Sequence, residues 1–181
     1  SRPSRGPRRF RGQADSADFK VIKSDRPRLS NTESDDEALI DKVLREELKD
    51  LRVLLAEDNI VNQRIVVRIL EKYNWKVQTA TNGQEVLDQL NKERFDIVLM
   101  DAQMPVLDGL ETTTIIRKNE EKTGQHIFIV ALTARAMQED RRRCLDVGMD
   151  GYVAKPIDRK KLFEEIVNLF KKGTTYERTS T

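Results

Sequence analysis

From Leu51 onward, apolar runs of strand length alternate with segments whose apolar residues recur at helical spacing, and the alternation repeats five times. The apolar runs are residues 51–57, 77–80, 95–101, 127–133 and 151–155, and the helical segments are 61–73, 83–92, 110–120, 136–147 and 158–171. Runs such as Val53-Leu54-Leu55-Ala56 and Ile97-Val98-Leu99-Met100 show no polar alternation, which marks strands covered on both faces. Strands alternating with helices imply parallel pairing through right-handed crossovers, hence an α/β fold with a doubly wound parallel sheet. Asn74 stands where the chain must turn with positive φ, a conformation that Asn tolerates. A further helix is predicted over residues 36–49, ahead of the first strand. There Ser34 and Glu37 have capping-box spacing, and Leu39, Ile40, Val43, Leu44 and Leu48 share one face. That helix is too short for a self-sufficient coiled coil. Docking on the sheet domain and pairing with a second copy, as a weak homodimer, both stay open.

This pattern divides the chain into a disordered basic and polar segment (1–33), a linker helix (34–50), the sheet domain (51–172) and a disordered tail (173–181). Residues 1–12 are rich in Arg, Pro and Gly, and residues 13–33 offer only Phe19, Val21 and Ile22 as an apolar patch. Such a segment cannot offset its ordering entropy. The formal net charge of +2 argues for no particular partner, and no nucleic-acid partner is expected. With one cysteine, Cys144, an intramolecular disulfide is excluded, and its apolar helical position suits a buried thiol. No apolar run approaches the roughly 18–20 residues that span a bilayer, and no leader h-region is seen. The expectation is a soluble, cytoplasmic segment without membrane contact, from a parent that could itself be anchored.

The candidate chemistry lies where the apolar runs end. These endings are Glu57-Asp58, Asp101, Thr133 and Lys155-Pro156. In a parallel sheet, ligands bind outside the carboxyl ends of the strands, so three carboxylates, a hydroxyl and an ammonium would converge. Carboxylates brought together repel, and either one is protonated or a hard cation neutralises them. Oxygen ligands with open positions suit Mg²⁺ and leave room for a phosphoryl group. Asp101 is the candidate nucleophile, because carboxylates form acyl-phosphate intermediates. Singly, Glu57 or Asp58 would read as a helix cap, Thr133 as an N-cap and Lys155 as a surface lysine. Together, at four strand ends in order, they read as a site. Asp108, before Gly109, reads as the residue that fixes a tight loop. His126, the only histidine, precedes a strand and is not placed to carry a phosphoryl group, so a phosphohistidine donor must come from elsewhere.

The runs Leu-Leu-Ala-Glu-Asp-Asn (54–59), Val-Leu-Met-Asp-Ala-Gln-Met-Pro-Val-Leu-Asp-Gly (98–109), Ala-Leu-Thr-Ala (131–134) and Gly-Met-Asp-Gly-Tyr-Val-Ala-Lys-Pro (148–156) resemble the receiver domain of two-component phosphorelay signalling. The resemblance covers about residues 51–171. The stretch from Glu57 to Gln63 is most similar to receivers at the C-terminal end of hybrid sensor histidine kinases. It implies a five-stranded sheet of order 2-1-3-4-5, flavodoxin-like, flanked by five helices and preceded by the helical extension. It makes Asp101 the phosphoacceptor for a histidine-phosphotransfer domain or a histidine kinase. Mg²⁺ would be held by Glu57, Asp58, Asp101 and the backbone carbonyl of Gln103, while Lys155, Thr133 and the N–H of Ala134 would hold phosphoryl oxygens. Thr133 and Tyr152 would form a switch acting on the face made by the domain's fourth helix, fifth strand and fifth helix. Gln103 and Arg135 would flank the path of water to the acyl phosphate, and the Lys155–Pro156 bond would be cis. Ile60 or Val61 would stay exposed as a docking patch.

Competing readings fit less well. A haloacid-dehalogenase phosphatase wants a second acid at the position of Gln103, and a flavin carrier would not place acidic residues in 56–62. A transcription factor would need more than the residues after Lys171. The remaining alternative is a stand-alone single-domain response regulator acting by protein–protein interaction.

Overall fold

A computed structural model describes residues 32–134 and 138–178. The basic segment through residue 31, Arg135 and the last three residues lie outside the described residues. Five strands, β1 (Arg52–Ala56), β2 (Lys76–Ala80), β3 (Ile97–Asp101), β4 (Phe128–Thr133) and β5 (Gly151–Ala154), alternate with helices α2 (Ile60–Glu71), α3 (Gly83–Lys92), α4 (Gly109–Thr123), α5 (Gln138–Asp146) and α6 (Arg159–Arg178). Helix α1 (Thr32–Glu46) precedes them. All neighbouring strands pair in parallel, in the order β2-β1-β3-β4-β5. Both the alternation and the strand order match the sequence expectation.

The central strand β3 is buried along its whole length, which is why its sequence shows no polar alternation. Side chains on one face of the sheet, including Val53, Leu55, Ile97, Leu99, Val130 and Leu132, pack with α1, α2 and α6. The opposite set, Leu54, Ala56, Val98, Met100, Ile129 and Ala131, packs under α3, α4 and α5. Cys144, the one buried side chain of α5, sits in the second layer, and burial pushes its thiol up. Where helices end, the turn chemistry follows the sequence: Asn74 has φ 58° and Gly124 caps α4 at φ 68°.

Of the two options for α1, docking is the one observed. Val43, Leu44, Leu48 and Leu51 enter the first core layer beside Tyr73, Trp75 and Phe163. Trp75 donates its indole N–H to the carbonyl of Leu48 at 2.7 Å, and Tyr73 donates its hydroxyl to Asp41 at 2.8 Å. The Tyr73 and Phe163 rings meet edge-on at 4.7 Å. The expected face was partly wrong, because Leu39 points outward and is 54% exposed. The helix also begins at Thr32, ahead of the expected Ser34 cap, so its acidic Asp35 and Asp36 lie near the amino end, where they complement the helix dipole. At the other terminus, α6 stays helical to Arg178 rather than ending near 171, so its backbone runs into residues expected to form the tail.

The α1 clamp carries a pH signature. Arg45, and then the Tyr73 hydroxyl, hold the Asp41 carboxyl below its ordinary 3.8. A lowered folded-state pKa gives stability that is present above the unfolded value and lost as pH falls through the folded one. The stability difference between wild type and Asp41→Asn should therefore be constant near neutrality and shrink below pH 3.8. Denaturant melts of both proteins at several pH values check this.

Candidate functional site

Two strands deliver the acidic cluster and a third brings a lysine to it. Strand β1 ends at Ala56, and the next residues are Glu57 and Asp58. Asp101 is the last residue of β3. Carboxylate oxygens of Glu57, Asp58 and Asp101 lie within 4.8 Å of one another. From β5, Lys155 brings its Nζ to 2.7 Å from Asp101 Oδ2 and 2.6 Å from Glu57 Oε2. Glu57 is 1% exposed and Asp101 6%, whereas Asp58 faces solvent. Burial pushes the Asp101 carboxyl above its ordinary value, outweighing the lowering by the Lys155 ammonium and the Gln103 N–H. The Lys155 ammonium is held above its ordinary value by its two carboxylate partners, against the effect of its own burial.

Thr133 ends β4 and is buried; its carbonyl accepts the Lys155 N–H at 2.7 Å. Ala134 follows it and is exposed, and Arg135 lies outside the described residues. Gln103 is exposed and donates its backbone N–H to Asp101 Oδ1 at 3.0 Å. Tyr152 is half-buried on β5, opposite Ala131, with the Arg141 guanidinium 4.7 Å from its ring centroid. Ile60, Val61 and Ile65 are 53%, 65% and 50% exposed, while Val66 and Leu70 of the same helix are buried. The patch thus extends one residue beyond the expected pair. The Lys155–Pro156 peptide is cis.

The loop after β3 is held tightly. Asp108 caps α4 by accepting the Glu111 N–H at 2.8 Å. Leu107 donates to the Pro105 carbonyl at 2.8 Å, closing a three-residue turn around Val106, whose φ is 69°. A β-branched residue is strained there. His126 lies away from the acidic cluster, beside Asp150 at 2.7 Å and Glu120 at 3.2 Å.

Two residues with direct ties to the cluster were not foreseen. Asn62 donates its side-chain amide to Glu57 Oε1 at 3.2 Å, and buried Gln63 donates to the Glu57 carbonyl at 2.8 Å and the Ala80 carbonyl at 3.4 Å. The signal was available: Gln63 stands on the same helix stripe as Val66 and Leu70, where an apolar residue would be expected.

The donors fit magnesium. They are hard carboxylate oxygens at an open cleft, and three acids converge against one lysine. Such a doubly wound sheet, with acidic residues at its strand ends, defines the class of flavodoxin-like domains. Within that class, the chain belongs to the response regulator receiver domain family, whose model matches residues 53–167. It is 44% identical over 117 residues to hybrid signal transduction histidine kinase K of Dictyostelium discoideum, covering 62% of this chain and 10% of that protein. It is 39% identical over 157 residues to histidine kinase 1 of Arabidopsis thaliana, covering 68% of this chain and 13% of that protein. The chain thus spans about a tenth of the length of these relatives.

Among solved structures, the receiver domain of sensor histidine kinase PA1611 from Pseudomonas aeruginosa, with a magnesium ion coordinated in its active-site cleft, is 40% identical. It aligns with a TM-score of 0.57, over 62% of this chain and 91% of that one. The receiver of Saccharomyces cerevisiae Ssk1, crystallised with the histidine phosphotransfer protein Ypd1, is 34% identical. Its TM-score is 0.60, over 63% of this chain and 84% of that one. No helix among the described residues is long and apolar enough to cross a membrane.

Proposed function

We propose that Asp101 accepts a phosphoryl group from a phosphohistidine on a histidine-phosphotransfer domain or histidine kinase, and that the parent protein is a hybrid sensor histidine kinase. The observation that carries this reading is the Lys155 ammonium bridging Asp101 and Glu57, with Asp58 alongside. Glu57, Asp58, Asp101 and the backbone carbonyl of Gln103 would hold Mg²⁺. When bound, the ion supplies charge that offsets repulsion between these carboxylates and an incoming phosphoryl group. The Asp101 carboxylate attacks phosphorus as the donor P–N bond breaks, and the electron pair of that bond stays on the imidazole. Lys155, Thr133 and the Ala134 N–H then face the phosphoryl oxygens, and Thr133 and Tyr152 relay the change to α5, β5 and α6. Gln103 would flank the route by which water reaches the acyl phosphate. The single-residue nature of the acceptor gives the test. With Mg²⁺ and acetyl phosphate, the protein should gain one phosphoryl group, and reductive trapping should place it on Asp101. Trapping at any other residue overturns the reading.

The exposed patch on α2 is read as the docking surface for the donor. A donor histidine must reach Asp101, so its helix must cross the strand-end loops beside Ile60, Val61 and Ile65. An exposed apolar cluster of this kind marks an interface. Val61→Asp should slow transfer from a histidine-phosphotransfer domain at least about tenfold, the effect of roughly 1.4 kcal/mol at an interface, and leave labelling by acetyl phosphate unchanged. Equal loss in both assays would make the residue structural. Full-length sequence carrying a histidine-bearing dimerisation helix and an ATP-binding domain upstream would decide for the hybrid kinase over a stand-alone regulator.

A further inference from the structure

We propose that Asn62 is a positioning residue that sets the metal affinity of the cleft by tethering Glu57, an inference that rests on the reading of Glu57 as a metal ligand.

The two oxygens of the Glu57 carboxylate are held from opposite sides. Oε1 accepts the Asn62 amide and the backbone N–H of Asn59, each at 3.2 Å. Oε2 faces the Lys155 ammonium at 2.6 Å. An ionised carboxylate only accepts, so the Asn62 side chain presents its NH₂ to it. Helix α2 itself is anchored at this end: the Asn59 side chain caps it by accepting the N–H groups of Val61 and Asn62, and Gln63 fastens its first turn to β1 and β2. Asn62 is therefore a fixed post, half-buried, at one side of the cleft.

The competition is between Lys155 and an entering cation for the same carboxylate. Glu57 is 1% exposed, so water cannot stand in for a missing partner. With Oε1 tethered, the carboxylate keeps its place beside Asp58 and Asp101. Without the Asn62 amide only the Asn59 N–H restrains Oε1, so the carboxylate can follow Lys155 away from Asp58 and Asp101, and a cation must then draw it back to bind. Groups that orient a metal ligand commonly carry 10- to 100-fold of metal affinity. The Asn62 tether differs from that of Gln63, which bonds the backbone of Glu57 and so holds the strand rather than the carboxylate.

The test is a calorimetric titration of the full chain with Mg²⁺, paired with acetyl-phosphate labelling across Mg²⁺ concentration. Asn62→Ala, and Asn62→Ser as a second variant should the first fail to fold, should raise the Mg²⁺ Kd about 10- to 100-fold. The labelling rate at saturating Mg²⁺ should stay within about twofold of wild type, a split that damage to the fold would not give. Arg64→Ala, an exposed neighbour on the same helix, should leave the Kd unchanged. The proposal is overturned if the Asn62 variants bind Mg²⁺ as wild type does, if their saturated rate falls with their affinity, or if Arg64→Ala weakens binding equally. Should wild type neither bind Mg²⁺ nor label, the proposal falls together with the reading it rests on.

Discussion

Asp101→Asn should lose labelling by at least about 10³-fold, and in metal-free protein its stability relative to wild type should rise with pH. A neutral amide is a poor nucleophile and a poor ligand for a hard cation. The stability effect follows from the direction of the Asp101 shift. Burial holds this carboxyl above its ordinary 3.8 despite the nearby ammonium. A raised folded-state pKa contributes stability that is complete below the unfolded value and lost as pH rises through the folded one. Wild type therefore loses that contribution as pH rises above 3.8 and through the raised folded value, and the asparagine variant, which has no carboxyl at position 101, does not. Lys155 keeps Glu57 as its partner in the variant and titrates far outside this window. Urea melts in EDTA across that range measure the difference. A gap between the two proteins that stays flat with pH would refute the burial argument, and undiminished labelling would refute the acceptor.

Gly109→Ala should cost about 3 kcal/mol, at the upper end for overpacking, and labelling should fall with it. A Cβ on Gly109 would stand 2.1 Å from the Asp101 carbonyl oxygen and 2.9 Å from Met100 Cγ. The first of these is backbone at the end of the central strand and cannot swing aside as a flexible side chain could. Relief must come from moving the loop between Asp101 and Gly109, the same loop that presents the Gln103 N–H to Asp101. Gly124→Ala is the comparison: its Cβ would meet nothing within 4 Å, but φ is +68°. That change should cost only about 1–2 kcal/mol, with labelling intact. Thermal melts should show a fall of about 10 °C for Gly109→Ala and a smaller one for Gly124→Ala.

How far the sequence could be read depended on whether a feature was local. The sheet and its crossovers were legible because the inner strands β1, β3 and β4 are buried on both faces and most helices on one, and both leave a trace in the sequence. The strand ends were legible because a charged residue closing an apolar run is conspicuous. Asn62 escaped, since an amide within a helix looks like an ordinary solvated position until its partner is known, whereas Gln63 was marked by its place on an apolar stripe but not by what it bonds. The outward turn of Leu39 escaped for a related reason: which stripe of a short helix is buried depends on the groove it meets, here lined by Tyr73, Trp75 and Phe163. Helix boundaries shifted where no cap residue marked them, as at the end of α6.

The only tryptophan of the chain lies beneath α1, 4% exposed and bonded to Leu48, at the amino end of the strands. The acidic cleft is at their other end. Intrinsic fluorescence of this protein is thus an optical gauge of one event, the lifting of α1 from its groove. The indole would shift to longer emission wavelength as water reaches it, and the signal would be blind to ions entering the cleft unless they also move α1. A steady-state emission spectrum therefore separates the behaviour of the extension from that of the site, with no label added.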